Sequence, residues 1–203
     1  TSAGLLREGG RRIALHLRGH RTTGAKLWIL AKKTAELALQ TGSLLAVNDR
    51  LDIALACGAG ALQLGDRSLP IRTARNLLGP SVLIGASVHD VRAATFAVDE
   101  GAHYLLAGTL YPSDTHLGSP ATGVEWLSHL RSLGVPVIGI GGVTPARVRE
   151  VTEVDASFGV AAIRGIWSAE SPVVALRAYL ERLDAVATRS GGHESSEPAR
   201  LES

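Results

Sequence analysis

Methionine is absent from the 203 residues, even at position 1, and Cys57 is the only cysteine. A lone cysteine cannot close an intrachain disulfide. Its apolar neighbours fit a small core residue rather than a nucleophile, so a reducing cytoplasm is the expected compartment. The missing initiator predicts that the N-terminus was trimmed or belongs to a longer product. Aromatics make up 4% against 45% hydrophobic residues, so the interior must be built from Ala, Val, Leu and Ile with much Gly. That suits a parallel sheet covered by helices. No apolar run reaches membrane-spanning length and no signal peptide is visible, so no membrane partner is expected. Lys and Arg number 21 against 19 Asp and Glu, scattered and without interleaved aromatics, which argues against a nucleic-acid partner. Cys/His metal spacing, a Ser-His-Asp arrangement and the third glycine of a dinucleotide fingerprint are missing too.

What is present is a repeating pattern. Strand-like runs fall at Arg12–Arg18, Leu44–Val47, Ala61–Leu64, Val82–Ala86, Tyr104–Ala107, Pro136–Gly142 and Phe158–Ile163. Helical patterns alternate with them at Leu27–Gln40, Leu51–Cys57, after Pro70, and at Val88–Glu100, Val124–Leu133, Pro145–Val154 and Pro172–Val186. An earlier helix ends at Gly9-Gly10. This alternation points to an α/β parallel sheet. A closed (β/α)8 TIM barrel needs eight strands, so the first strand and most of the first helix are expected to be missing from this chain. An open doubly wound sheet is the alternative. The predicted organisation is one barrel domain over 1–187 and a disordered tail over 188–203, rich in Ser, Gly, Glu and Pro.

In such a barrel the carboxyl ends of the strands carry the active site. Polar residues collect there: Arg18 and His20, Asn48 and Asp49, Gln63, Ser87 and His89, Thr109 and Tyr111, Gly141 and Gly142, Arg164 and Gly165. Donors far outnumber acids, which suits an anionic ligand. The run Pro136-Val-Ile-Gly-Ile-Gly-Gly142 followed by Thr144-Pro145 reads as a buried strand, a tight turn and a helix start. Its glycines and free N–H groups, aided by the helix dipole, form a candidate phosphate cup. Ser87 with Asp90 is either a helix capping box or a ligand contact. His89 in the first turn of that helix would be kept neutral, as a surface residue or as an acid-base group. Asp49 either caps the helix from Leu51 or binds a metal. His116 lies in a long loop with Ser113, Asp114 and Thr115, and loops of that length in compact domains are often functional.

These stretches resemble the thiamine phosphate synthase and TenI superfamily of (β/α)8 barrels. The resemblance rests on Val47-Asn-Asp-Arg-Leu-Asp52, Leu62-Gln-Leu-Gly65 with Ser68-Leu-Pro70, Gly85-Ala-Ser-Val-His89, Gly108-Thr-Leu-Tyr-Pro-Ser-Asp-Thr115, Pro136 to Gly142, and Ile163-Arg-Gly-Ile166. It implies a phosphate cup at Gly141, Gly142, Ile163 and Arg164. It also implies substrate contacts at Arg18, Asn48, Gln63, Ser87, Thr109, Ser113 and Thr115. The synthase joins a hydroxymethylpyrimidine diphosphate to a thiazole phosphate with Mg²⁺, and TenI-type members tautomerise the thiazole phosphate. Against the synthase pattern the strand end His16-Leu-Arg18-Gly-His20 keeps only the arginine. Ser68 replaces the second Mg²⁺ carboxylate, Gln63 a histidine, and His116 a lysine.

With the metal site reduced to Asp49, the expected function is a TenI-like thiazole tautomerase, an isomerase without a cofactor. Its base would be drawn from His89, His116 and His20, because Thr109 stands where that branch has its histidine. A diverged Mg²⁺-dependent synthase and a non-catalytic thiazole phosphate binder are the alternatives. The expected partner is a small phosphorylated thiazole, and homo-oligomerisation is left open.

Overall fold

The computed structural model describes residues 2–19, 22–112, 121–154 and 157–190. Seven parallel strands form one sheet in chain order: β1 (Ala14–Leu17), β2 (Leu44–Asn48), β3 (Ala61–Leu64), β4 (Leu83–Val88), β5 (Tyr104–Ala107), β6 (Val137–Ile140) and β7 (Ser157–Ala161). Every strand pairs with its sequence neighbour, without the reversal of order that defines a doubly wound sheet. The architecture is therefore a curled, half-barrel arrangement of the TIM type.

Helices cover the outer face. They are α1 (Ser2–Gly9), α2 (Gly24–Thr41), α3 (Leu51–Cys57), α4 (Ile71–Leu78), α5 (Val91–Asp99), α6 (Val148–Thr152), α7 (Arg164–Trp167) and α8 (Pro172–Ser190). Helix α2 starts three residues ahead of the expected Leu27 because the Thr23 hydroxyl accepts from the Lys26 N–H, and it stops where Gly42 turns left-handed. Two apolar clusters lie between sheet and helices. One joins α2, α3 and α4 to β2–β4 through Leu27, Val47, Ile53, Leu62 and Ile84. The other joins α5, α6 and α8 to the later strands through Leu105, Leu127, Val137, Val148 and Val151. Leu5 of α1 packs against Leu176 and Leu180 of α8. Arg177 grips Glu8 at 2.6 and 2.8 Å, and Arg12 holds Asp184 at 2.7 Å. Because α1 also touches α2, the helical layer is continuous from α8 to α2.

Several expected boundaries move. Strand β4 runs to Val88, so α5 begins at Val91 with Asp90 as its cap, accepting from Ala93 N–H at 2.7 Å. Residues Glu125–Leu133 form a 3₁₀ helix rather than an α-helix. Helix α8 continues to Ser190, past the expected start of the tail, and residues 191–203 lie outside the described set. No helix among the described residues is long and apolar enough to cross a membrane.

Candidate functional site

Parallel pairing in chain order brings the carboxyl ends of all seven strands to one rim, and side chains there bond from strand to strand. His16 Nε2 on β1 donates to Asn48 Oδ1 on β2 at 2.9 Å. Asn48 is in register with Gln63 on β3, whose Nε2 donates to Ser87 Oγ on β4 at 3.0 Å. A row of polar groups thus crosses four strands. Gln63 is 1% exposed, and its Oε1 has no hydrogen-bond partner. An unpaired buried amide oxygen costs about 1–3 kcal/mol, so this position gives up stability for polarity. Gly85 makes room for it: a Cβ there would sit 2.3 Å from that oxygen and 2.2 Å from the Tyr104 ring. Burial pushes the Tyr104 phenol up to about 12, so it stays protonated.

A branch leaves the row at Asn48, whose Nδ2 donates to Asp49 Oδ2 at 2.6 Å. The Ser68 hydroxyl donates to Asp49 Oδ1 and accepts from the Gly65 N–H at 2.7 Å. Asp49 has a φ of 59°, in the left-handed region that few non-glycine residues occupy. That conformation directs the carboxylate to Asn48 and Ser68. Helix α3 has Arg50 at its cap position with no side-chain cap, so the capping role considered for Asp49 is corrected.

On the opposite side of the rim stands the glycine turn. Gly141 and Gly142 have φ of 97° and 67°. A Cβ on Gly141 would lie 2.7 Å from Thr109 Cα, and one on Gly142 2.8 Å from Tyr111 Cβ. The turn's carbonyls are occupied: Gly141 O accepts from Tyr111 N–H at 3.0 Å, and Val143 O accepts from the buried Tyr179 hydroxyl at 2.9 Å. The N–H groups of Gly142 and Val143 have no backbone acceptor among the described residues. Successive turn N–H groups without backbone acceptors are the kind of donors that can receive an anion. The helix behind it is shorter than expected, a 3₁₀ turn at Pro145–Arg147 followed by the five-residue α6. The helix dipole behind this turn is therefore weaker than the sequence suggested.

Other expected site residues divide into three groups. Ser87, Asn48, Gln63, Thr109, Gly141 and Gly142 come to the rim. Arg18, just past β1, is exposed there, and Ile163 and Arg164 open the short α7 beyond β7. His20, His116, Ser113 and Thr115 lie outside the described residues. Two roles are corrected. Ser87 sits within β4 and caps nothing, and His89 precedes the Asp90 cap, outside the helix whose dipole was to hold it neutral. The His89 ring instead donates through Nδ1 to the Gly108 carbonyl. Residues absent from the expected site are His16, which alternation along β1 places on Arg18's face, and Ser68. Desolvation, opposed by its bond to Asn48, leaves the His16 imidazole below its ordinary pKa. Cys57 is half-buried beside the first apolar cluster, and that burial raises its thiol pKa.

Comparison with known proteins now bears on this rim. The family model TMP-TENI, described as thiamine monophosphate synthase, matches residues 5–166. A thiamine-phosphate synthase of Haloquadratum walsbyi is 35% identical over 180 residues, covering 87% of this chain and 80% of the relative. One from Gloeobacter violaceus is 39% identical over 156 residues, covering 76% of this chain. The chain spans only 46% of that relative's length. Among solved structures, a thiamine phosphate pyrophosphorylase from Pyrococcus furiosus superposes with a TM-score of 0.83 at 31% identity, covering 91% of this chain and 89% of the other. These similarities overturn the expectation of a TenI-like tautomerase: the curated relatives are named synthases, and the isomerase reading falls. Of the three histidines proposed as the tautomerase base, His89 bonds the Gly108 carbonyl through Nδ1, and His20 and His116 lie outside the described residues.

Proposed function

The chain belongs to the thiamine monophosphate synthase/TenI family, and from that premise we propose that it is a thiamine phosphate synthase, coupling a hydroxymethylpyrimidine diphosphate to a thiazole phosphate. The observation that carries the reading is the pairing of a candidate phosphate cup at Gly141-Gly142 with a polar row that branches to Asp49, beside a Thr109 that offers no proton shuttle. Coupling needs none. The thiazole ring nitrogen attacks the pyrimidine methylene carbon, the N–C bond forms, and the C–O bond breaks with its electron pair leaving on diphosphate. No proton has to change hands in that step. What the transition state does require is stabilisation of the charge on the leaving diphosphate.

In this reading Arg18, Asn48 and Ser87 face the diphosphate and the glycine turn holds the thiazole phosphate. Gln63 orients Ser87. Mg²⁺ is compatible with these residues. The described residues contain no cluster of three His, Cys, Asp or Glu, yet Mg²⁺ is commonly bound by one or two carboxylates with substrate phosphates and water. Asp49, with the Ser68 hydroxyl beside it, would hold the ion together with the diphosphate, and the bound ion supplies positive charge to the leaving group. The remaining residues bind and orient. We read residues 1–187 as one barrel domain completed by an eighth parallel strand between β7 and β1.

The test is formation of thiamine phosphate from the two substrates with Mg²⁺, by wild type and by Asp49→Ala. Expected is turnover by the wild type and a fall of at least about 100-fold in the variant, in keeping with loss of a charge-stabilising group. Calorimetric binding of thiazole phosphate without turnover would overturn the proposal in favour of a non-catalytic binding or regulatory protein.

A further inference from the structure

The glycine turn does not hold its shape alone. Arg147, at the end of the 3₁₀ turn that follows it, donates from Nη1 to the Gly142 carbonyl at 2.8 Å. The same guanidinium lies over the Tyr111 ring, 4.2 Å from its centroid. Tyr111 donates its hydroxyl to Glu150 Oε2 at 2.7 Å, and its backbone N–H to the Gly141 carbonyl at 3.0 Å. Burial and the Glu150 carboxylate both raise the phenol's pKa, so it remains a donor. The two carbonyls of the paired glycines are thus drawn toward Arg147 and Tyr111. A peptide plane whose carbonyl is fixed on one side has its N–H fixed on the other. Pinning Gly142 O therefore aims the Val143 N–H, and pinning Gly141 O aims the Gly142 N–H, the two groups that have no backbone acceptor.

We propose that Arg147 is a positioning residue for the phosphate subsite, clamping the Gly141-Gly142 turn against Tyr111 so that the Gly142 and Val143 N–H groups are held ready for the thiazole phosphate. The clamp rests on the functional reading above, since it presupposes that ligand. Its components suit the task. A planar guanidinium can donate to a carbonyl and stack on a ring at once, which an ammonium does poorly. Tyr111 is itself anchored by Glu150 of α6, three residues beyond Arg147, so the clamp closes on the segment that follows the turn.

The experiment is calorimetric titration of thiazole phosphate into wild type, Arg147→Gln, Arg147→Lys, Tyr111→Leu and the Arg147→Gln/Tyr111→Leu pair. It is joined by steady-state kinetics in both substrates. Loss of one hydrogen bond and one cation–π contact should weaken thiazole phosphate binding roughly tenfold. KM for thiazole phosphate should rise accordingly, with kcat and the KM for the pyrimidine diphosphate within about twofold. Lysine should rescue only part of the loss, and the double variant should lose less than the product of the singles, because the two side chains act as one unit. Amide resonances of Gly142 and Val143 should shift in the ligand-free variants. Unchanged affinity in Arg147→Gln overturns the clamp, as does full rescue by lysine, which would mark Arg147 as a plain charge contact. A wild-type protein that binds no thiazole phosphate overturns the functional reading and the clamp together. Binding by wild type with a null effect in the variants overturns the clamp alone.

Discussion

Gly141 concentrates what a single residue can decide at this rim. Its φ of 97° and the 2.7 Å approach to Thr109 Cα leave no room for a side chain. Alanine there should cost about 1–3 kcal/mol in strain, lowering Tm by several degrees for a chain of this size. It should also weaken thiazole phosphate binding at temperatures where the variant is still folded. Thermal denaturation and calorimetry would check both, and an alanine variant with wild-type Tm and affinity would show the turn to be more pliable than its contacts indicate. The glycine pair was legible in the sequence as a strand-to-helix turn, because an apolar run ending in paired glycines before Thr-Pro marks one. Asp49 was less so. Its position at a strand end could be read, but not its left-handed backbone or its partners, since Ser68 reaches it from a loop 19 residues away. The Gln63–Ser87 bond was equally hidden, because it depends on the register of β3 against β4.

At the scale of elements, His103 at the start of β5 tests how the far side of the sheet is held. Arg75 of α4 donates to the Gly79 carbonyl, to Val82 O at 3.0 Å and to His103 Nδ1 at 2.8 Å, and Ile84 N–H reaches the same ring nitrogen at 3.1 Å. Desolvation and the Arg75 charge lower the His103 pKa below its ordinary 6.5, with Ile84 opposing them. The unfolded chain therefore takes up this proton at a higher pH than the folded one. Stability is full above about pH 6.5, falls as pH drops below it, and levels off once the folded imidazole is protonated. Urea midpoints between pH 5 and 7.5 should decline toward acid in the wild type and less steeply in His103→Gln. Equal slopes would remove His103 from the account. The sequence located these elements well, since each strand is a short apolar burst between turn signals, but not their ends. The stretch Ser87-Val88-His89 continues the strand for two residues before Asp90 caps α5, and that shift moved both Ser87 and His89 out of the roles their spacing suggested.

For the whole molecule, the informative contrast is between a helical layer that runs on from α8 through α1 to α2 and a sheet that stops at β7 on one side and β1 on the other. All four residues of β3, in the middle of the first half, are buried. Neither β1 nor β7 has a fully buried residue, and Phe158 on β7 is 76% exposed. Edge strands of a parallel sheet carry unpaired N–H and C=O groups, and parallel sheets occur almost only with their faces covered and, in barrels, their edges closed. With α1 docked on α8 and α2, β1 and β7 remain unjoined among the described residues, and the eighth strand proposed above would lie between them. A form of the protein carrying a strand ahead of α1 should therefore show slower hydrogen exchange at β1 and β7 amides, with β3 and β4 little changed. It should also have a higher Tm than residues 1–203 alone. It should bind the proposed diphosphate substrate more tightly as well, because His16 lies on, and Arg18 just past, the strand that gains a partner. Equal exchange at the two edges in both forms would mean that the seven-stranded sheet is already the complete arrangement, and that the polar row from His16 to Ser87 works at an open edge.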